Sequence, residues 1–238
     1  MSDSQTPRTL DRRGFVAGAA SAGLSIPLLA GLPRRAAAAP LGYDLVDPAS
    51  PDEALQLLYE GNRRFVEGRV KAPNRNMDRV RAVAPKQAPF AAFLGCADSR
   101  VPIEIVFDQG FGDVFVTRVA GNIADPAIIG SLEFGTLVLG AKVLFVLGHS
   151  SCGAVAAAVK GDSVPGQIST LYQYLAPAVR RANGDIVTAT RENVRIQAEL
   201  LAQASPVIAG LIKEGKLAMA GGVYDLATGV VTPVPIGA

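Results

Sequence analysis

The 238-residue chain has no tryptophan, a single histidine, two cysteines and three methionines, and only 6% of it is aromatic. One histidine means that no second imidazole relays protons inside the molecule, so chemistry that moves protons must pass them to buffer or another carrier. Two cysteines exclude a disulfide-dense scaffold, and the 56-residue separation of Cys96 and Cys152 excludes a compact zinc-finger knuckle. Long runs of like charge are missing, and 23 Lys+Arg against 21 Asp+Glu leave a net charge of only +2. Such a chain has no electrostatic footprint for nucleic acid. One stretch alone, residues 14–33, is long and uncharged enough to be weighed as a membrane span.

That stretch follows Arg12-Arg13 and a polar start, and it precedes Arg34-Arg35 and the small-residue run 36–39. A paired arginine, a mildly apolar stretch and an Ala-x-Ala site predict a twin-arginine export signal over residues 1–39, cleaved after Ala38 or Ala39. An uncleaved anchor is the alternative, but four glycines and two prolines make a poor span. The expected destination is a periplasm or the outside of the cell, with no membrane contact once the signal is gone. Losing residues 1–38 removes five Arg and two Asp, which leaves 18 basic against 19 acidic residues, net −1. Residues 40–50 read as a linker, and residues 51–238 suffice for a single domain with a sizeable core.

Within that domain, Ser50-Pro51-Asp52-Glu53 opens a helix through residue 68, with Ser as N-cap, Pro first and Glu three residues after the cap. Residues 77–84 form a short helix. Strands are expected at 90–95, 113–119, 142–148 and 217–224. Between them the pattern predicts helices at 102–106, 126–139, 153–159, 168–181 (with Pro177 inside it, a candidate kink), 190–204 and 206–214. Strands alternating with helices imply an α/β fold. Its mainly parallel central sheet has about four parallel strands plus a C-terminal strand, flanked by helices on both faces.

Two of those strands end alike. The run 89–95 stops at Cys96-Ala97-Asp98-Ser99-Arg100, and the run 142–148 stops at His149-Ser150-Ser151-Cys152-Gly153. Buried parallel strands deliver side chains at their carboxyl ends, where open α/β sheets bind ligands. Two Cys and one His suit zinc and leave a fourth position for water or a carboxylate. A disulfide is the bland reading of two cysteines, but each sits at a strand end beside His, Asp or Gly. Asp98 is either the fourth ligand or, gripped bidentately by Arg100, the acceptor that orients a water; the pattern leaves a closed and an open site both possible. The helix after Cys152 aims its N-terminal amides at the site. In open sites zinc lowers the pKa of bound water to about 7, which yields a nucleophile for a small electrophilic carbon.

CADSR and HSSCG resemble the zinc motifs Cys-x-Asp-x-Arg and His-x-x-Cys of the β-class carbonic anhydrases. The likeness extends to EGNRRF (60–65), RVAGN (118–122), SLEFG (131–135) and VYDLATG (223–229). The resemblance implies a β-carbonic anhydrase-like fold with one zinc ion per subunit on Cys96, His149 and Cys152, joined by Asp98 only in a closed state. It implies Asp98 and Arg100 as the catalytic dyad, with Gln87 (from the neighbouring subunit), Phe115 and the Gly153 amide around the substrate. The activity implied is zinc-dependent reversible hydration of carbon dioxide to bicarbonate and a proton by zinc-bound hydroxide. A homodimer or homotetramer is implied too, with the helices of residues 51–84 embracing a partner. Phe134 stands where plant-type members carry a tyrosine, and Phe93 where some bacterial members carry the tryptophan of an inhibitory bicarbonate site. The lack of that tryptophan makes an open, plant-like site the expectation. Hydrolysis of carbonyl sulfide or carbon disulfide on the same site is the enzymatic alternative. A non-catalytic zinc-binding protein is the other, and the intact Asp98 and Arg100 speak against it.

Overall fold

The computed structural model of the protein describes residues 46–237; the predicted export signal lies outside the described residues, as does the first part of the linker. Chain order is α1 (Pro51–Val66), α2 (Met77–Val83), β1 (Ala91–Gly95), α3 (Ile103–Val106), β2 (Val114–Arg118), α4 (Pro126–Glu133), β3 (Val143–His149) and α5 (Gly153–Lys160). There follow α6 (Thr170–Ala182), α7 (Ile186–Ala204), α8 (Pro206–Lys213), β4 (Ala218–Tyr224) and β5 (Val231–Pro233). The strands make one sheet in the order β2-β1-β3-β4-β5, parallel throughout except for the antiparallel β5. No helix among the described residues is long and apolar enough to cross a membrane.

The helices begin where local chemistry tells them to. Ser50 Oγ accepts from Glu53 N (3.1 Å), Asn76 Oδ1 from Arg79 N (2.8 Å), Asp125 Oδ1 from Ile128 N (2.8 Å) and Ser205 Oγ from Ile208 N (3.0 Å). Each satisfies one amide that the first turn leaves without a partner. Pro51, Pro126 and Pro206 take the first helical position, where a missing N–H costs nothing.

Every residue of β1 and β3 is buried, so their side chains alternate between two apolar layers. On one face Phe93, Phe107 and Phe145 pack with ring centroids 5.1–5.5 Å apart, beneath α1 and α3. On the other, Ala92, Leu94, Leu144 and Val146 meet Leu132, Val194, Leu201 and Ile208 of α4, α7 and α8.

Two elements depart from the sequence expectation. The helix predicted over 126–139 is α-helical only to Glu133 and then widens into a π turn over Phe134–Val138. There Thr136 Oγ1 bonds back to the Leu132 carbonyl (2.8 Å), and a Cβ on Gly135 would lie 2.8 Å from the Phe115 ring. α7 starts at Ile186 rather than 190, because Asn183 and Gly184 take left-handed conformations and Asp185 caps Thr188 N at 2.7 Å. The helix expected with Pro177 inside it is α6, Thr170–Ala182.

Candidate metal centre

Connectivity creates the site. The chain goes from β1 outward to β2, then returns across β1 to place β3 on its other side. That reversal leaves a crevice between the carboxyl ends of β1 and β3, the topological switch point where open α/β sheets bind ligands. Cys96 follows the last residue of β1, and its neighbour Ala97 donates to Val119 O at 3.2 Å. His149 is the last residue of β3, paired with Tyr224 of β4. A turn through Ser151, whose φ of 55° is left-handed, then folds the chain back so that Cys152 opens α5.

The ligand atoms of Cys96, His149 and Cys152 all lie within 4.8 Å of one another, and both cysteines are free thiols. All three side chains are buried: Cys96 is 4% exposed, Cys152 1% and His149 0%. His149 Nδ1 lies 2.9 Å from the Ser150 carbonyl, so this nitrogen carries the proton and Nε2 offers its lone pair. Buried and without a hydrogen-bond partner among the described residues, Nε2 faces the two sulfurs. An orphaned imidazole lone pair beside two thiols fits zinc, which takes N and S donors in closed apolar surroundings.

Backbone amides prepare the sulfurs for negative charge. Cys96 Sγ accepts from Gly121 N at 3.3 Å, and the Asp98 amide also favours its charged form. The amides of Ala154 and Val155, in the first turn of α5, favour the charged form of Cys152. The two thiols lie so close that they share charge: the hydrogen bond from Cys152 draws the Cys96 thiol well below its ordinary value, and Cys152 is pushed up correspondingly. Burial alone would lower the His149 imidazole, but the close, negatively charging Cys96 sulfur and the Ser150 carbonyl outweigh it and raise the group.

Asp98 is occupied by Arg100. Its Oδ1 accepts from Arg100 N and Nε, each at 2.9 Å, and its Oδ2 from a terminal guanidinium nitrogen at 2.7 Å. This fork holds the carboxyl far below the usual carboxylate range. Asp98 Oδ2 is still only 3.8 Å from His149 Nε2, so the carboxylate borders the ligand cluster. Arg100 is steadied in turn by the Ser151 carbonyl at 3.3 Å.

Gln87 and Phe115 are not brought to this cluster within one chain. Gln87 is exposed and precedes the amino end of β1, whereas Cys96 follows its carboxyl end. Phe115 pairs in register with Ala92, about 13 Å of strand away from the level of Cys96. It packs instead toward Phe134, ring centroids 6.4 Å apart. Gly153 stands at the first position of α5, directly after Cys152, and is exposed. Sequence reading overlooked Arg118, which binds the carbonyls of Cys96 (2.8 Å) and Asp98 (2.5 Å), and the Gly121 amide. Their only signal was membership of RVAGN.

The family model described as carbonic anhydrase matches residues 91–231. Carbonic anhydrase 2 of Mycobacterium tuberculosis is 39% identical over 188 residues, 76% of this chain and 91% of that protein. A tetrameric β-carbonic anhydrase of Sordaria macrospora superposes with a TM-score of 0.62 at 26% identity, over 67% of this chain and 87% of its own. The chain belongs to the β-class carbonic anhydrase family. The Coccomyxa β-carbonic anhydrase, solved in complex with acetazolamide, aligns with a TM-score of 0.59 at 27% identity, covering 76% of this chain and 86% of that one. β-Class carbonic anhydrases are zinc-dependent, and Cys96, His149 and Cys152 supply the donor set that such an ion takes.

Proposed function

We propose that the chain interconverts carbon dioxide with bicarbonate and a proton, using one zinc ion held by Cys96, His149 and Cys152. The observation that carries this reading is the buried, partnerless His149 Nε2 beside two free thiols, bordered by a carboxylate that Arg100 keeps engaged. When bound, zinc supplies the Lewis acidity that lowers the pKa of a coordinated water toward neutrality. Arg100 keeps Asp98 ionised and engages both its oxygens at the border of the ligand cluster, the arrangement expected of an open site. Asp98 accepts a hydrogen from water at the cluster and so orients the oxygen toward an incoming carbon. The Gly153 amide, at the positive end of α5, borders the same space and suits a substrate oxygen. Gln87 and Phe115 serve as substrate contacts only across an interface, from a second copy of the chain, which makes the working unit a homodimer or homotetramer. No other histidine exists to relay the proton, so it leaves to buffer. Arg12-Arg13 and the alanine run support export by the twin-arginine route to a periplasm or beyond, with residues 1–39 removed.

Stopped-flow hydration of carbon dioxide by the zinc-loaded protein tests the reading. Buffer-dependent turnover that disappears with zinc removal is expected. Stoichiometric zinc with no turnover at any pH would leave a zinc-binding protein only.

A further inference from the structure

Gly121 and Asn122 are consecutive residues with left-handed backbones, φ 76° and 43°. Left-handed conformation costs most residues roughly 1–2 kcal/mol; glycine and asparagine visit it singly, but two such residues in succession need support from outside. The shape matters because it aims the Gly121 N–H at Cys96 Sγ, 3.3 Å away. What holds it comes from α7, some seventy residues later in the chain. Asn193 Nδ2 donates to the Gly121 carbonyl at 2.8 Å, and Gln197 Oε1 accepts from Ala124 N at 2.8 Å. The two side chains are joined to each other, Gln197 Nε2 donating to Asn193 Oδ1 at 3.1 Å, and Gln197 Nε2 also donates to the Tyr174 carbonyl at 3.2 Å. Both are 1% exposed. Buried amides with their hydrogen bonds filled in this way are rigid, and a rigid clamp on both ends of residues 121–124 leaves the Gly121 amide one direction to point.

We propose that Asn193 and Gln197 are positioning residues of the metal centre, acting through the Gly121 amide to set how strongly the Cys96 sulfur donates to the ion. The proposal rests on the reading of Cys96, His149 and Cys152 as metal ligands. A hydrogen bond to a coordinated thiolate withdraws electron density from sulfur and fixes the ligand's orientation, and losing such an outer contact typically costs about 10- to 100-fold in metal affinity. Asn193 is one turn from Gln197 on α7, and no atom of either is among the ligands.

The test uses the full-length protein loaded with cobalt(II), whose thiolate-to-metal charge-transfer band reports sulfur donation directly. Asn193→Leu keeps the volume and removes the donor; Gln197→Glu keeps the acceptor for Ala124 N and removes the donor to Asn193. In both variants the band is expected to move to longer wavelength, and zinc affinity by chelator competition to fall about 10- to 100-fold. A change in packing alone would lower thermal stability without moving the band. Variants with the wild-type band and affinity would overturn the proposal. Should Asn193→Leu fail to fold, the Gln197→Glu spectrum decides, together with the coupling between the Gly121 amide proton and cadmium-113 in the substituted wild type. Absence of that coupling would equally sink it. If the wild type itself binds no cobalt, the ligand reading has failed rather than this one.

Discussion

Arg100 stands at 55% side-chain exposure, yet its guanidinium makes two hydrogen bonds to Asp98 and a third to the Ser151 carbonyl. An exposed ion pair contributes little stability, so the reason for this geometry lies in the chemistry next to it. Asp98 has one carboxylate and two possible partners, the guanidinium or a metal ion, and Arg100 decides between them. Arg100→Ala should therefore keep zinc at one per chain while losing at least about 100-fold in turnover, the scale of one positioned acid–base group. Metal analysis beside stopped-flow rates checks this, and full turnover in the variant would remove the dyad from the mechanism. Asp98→Asn should behave alike, since it keeps the shape and loses the charged acceptor. His149→Ala is different in kind: it deletes a ligand, and both zinc and activity should vanish together.

At the scale of elements, Asp108 shows how a loop is fastened beside the core. Its carboxylate, wholly buried, accepts from Lys71 N (3.0 Å), Ala72 N (2.9 Å) and Arg64 Nε (2.7 Å), tying the segment after α1 to the end of α3. Burial alone would raise this carboxyl, but those three donors overcome it and hold the group below its ordinary value. A depressed carboxylate stabilises the fold above the ordinary carboxylate range and loses that contribution as pH falls through its lowered value. Asp108→Asn should thus cost about 3 kcal/mol at neutral pH, and the gap to wild type should narrow on acidification, read by urea unfolding at several pH values. The four parallel strands, Cys96, His149 and Cys152 were legible from sequence because strand, glycine and ligand are adjacent in the chain. The bounds of α1, α2 and α8 were legible for the same reason, their caps being local. What escaped detection is what depends on distant partners. Asn193 and Gln197 look like ordinary polar positions of a helix until α7 is laid against residues 121–124, and the π turn needs Phe115 beside Gly135. β5, whose amide at Val231 is held by Asn62 Oδ1 of α1 at 2.9 Å, had only an unassigned C-terminal expectation behind it.

For the whole molecule, the ligands arise from two strands separated by half a hundred residues, so the unfolded chain has no preformed site for the ion. Zinc held by these residues would bind the folded state, and its binding energy would add to folding energy. At a free zinc concentration a hundred times the dissociation constant the gain is about 2.7 kcal/mol, which for a domain of this size raises Tm by roughly 5–10 °C. The core makes a separate contribution. Phe145, fully buried in β3 and stacked on Phe93 at 5.4 Å, should cost about 3–5 kcal/mol on replacement by alanine. Its ring lies four residues before His149, in the apolar layer beneath α1 and not in the crevice, so the cavity leaves the ligands in place. Calorimetry with and without zinc separates the two contributions: Phe145→Ala should melt earlier but keep the full zinc-induced rise in Tm, whereas Cys152→Ser should lose that rise. Were Phe145→Ala to lose the rise as well, the site would depend on packing in the core, and the switch-point crevice would not be the self-sufficient frame that the topology makes it.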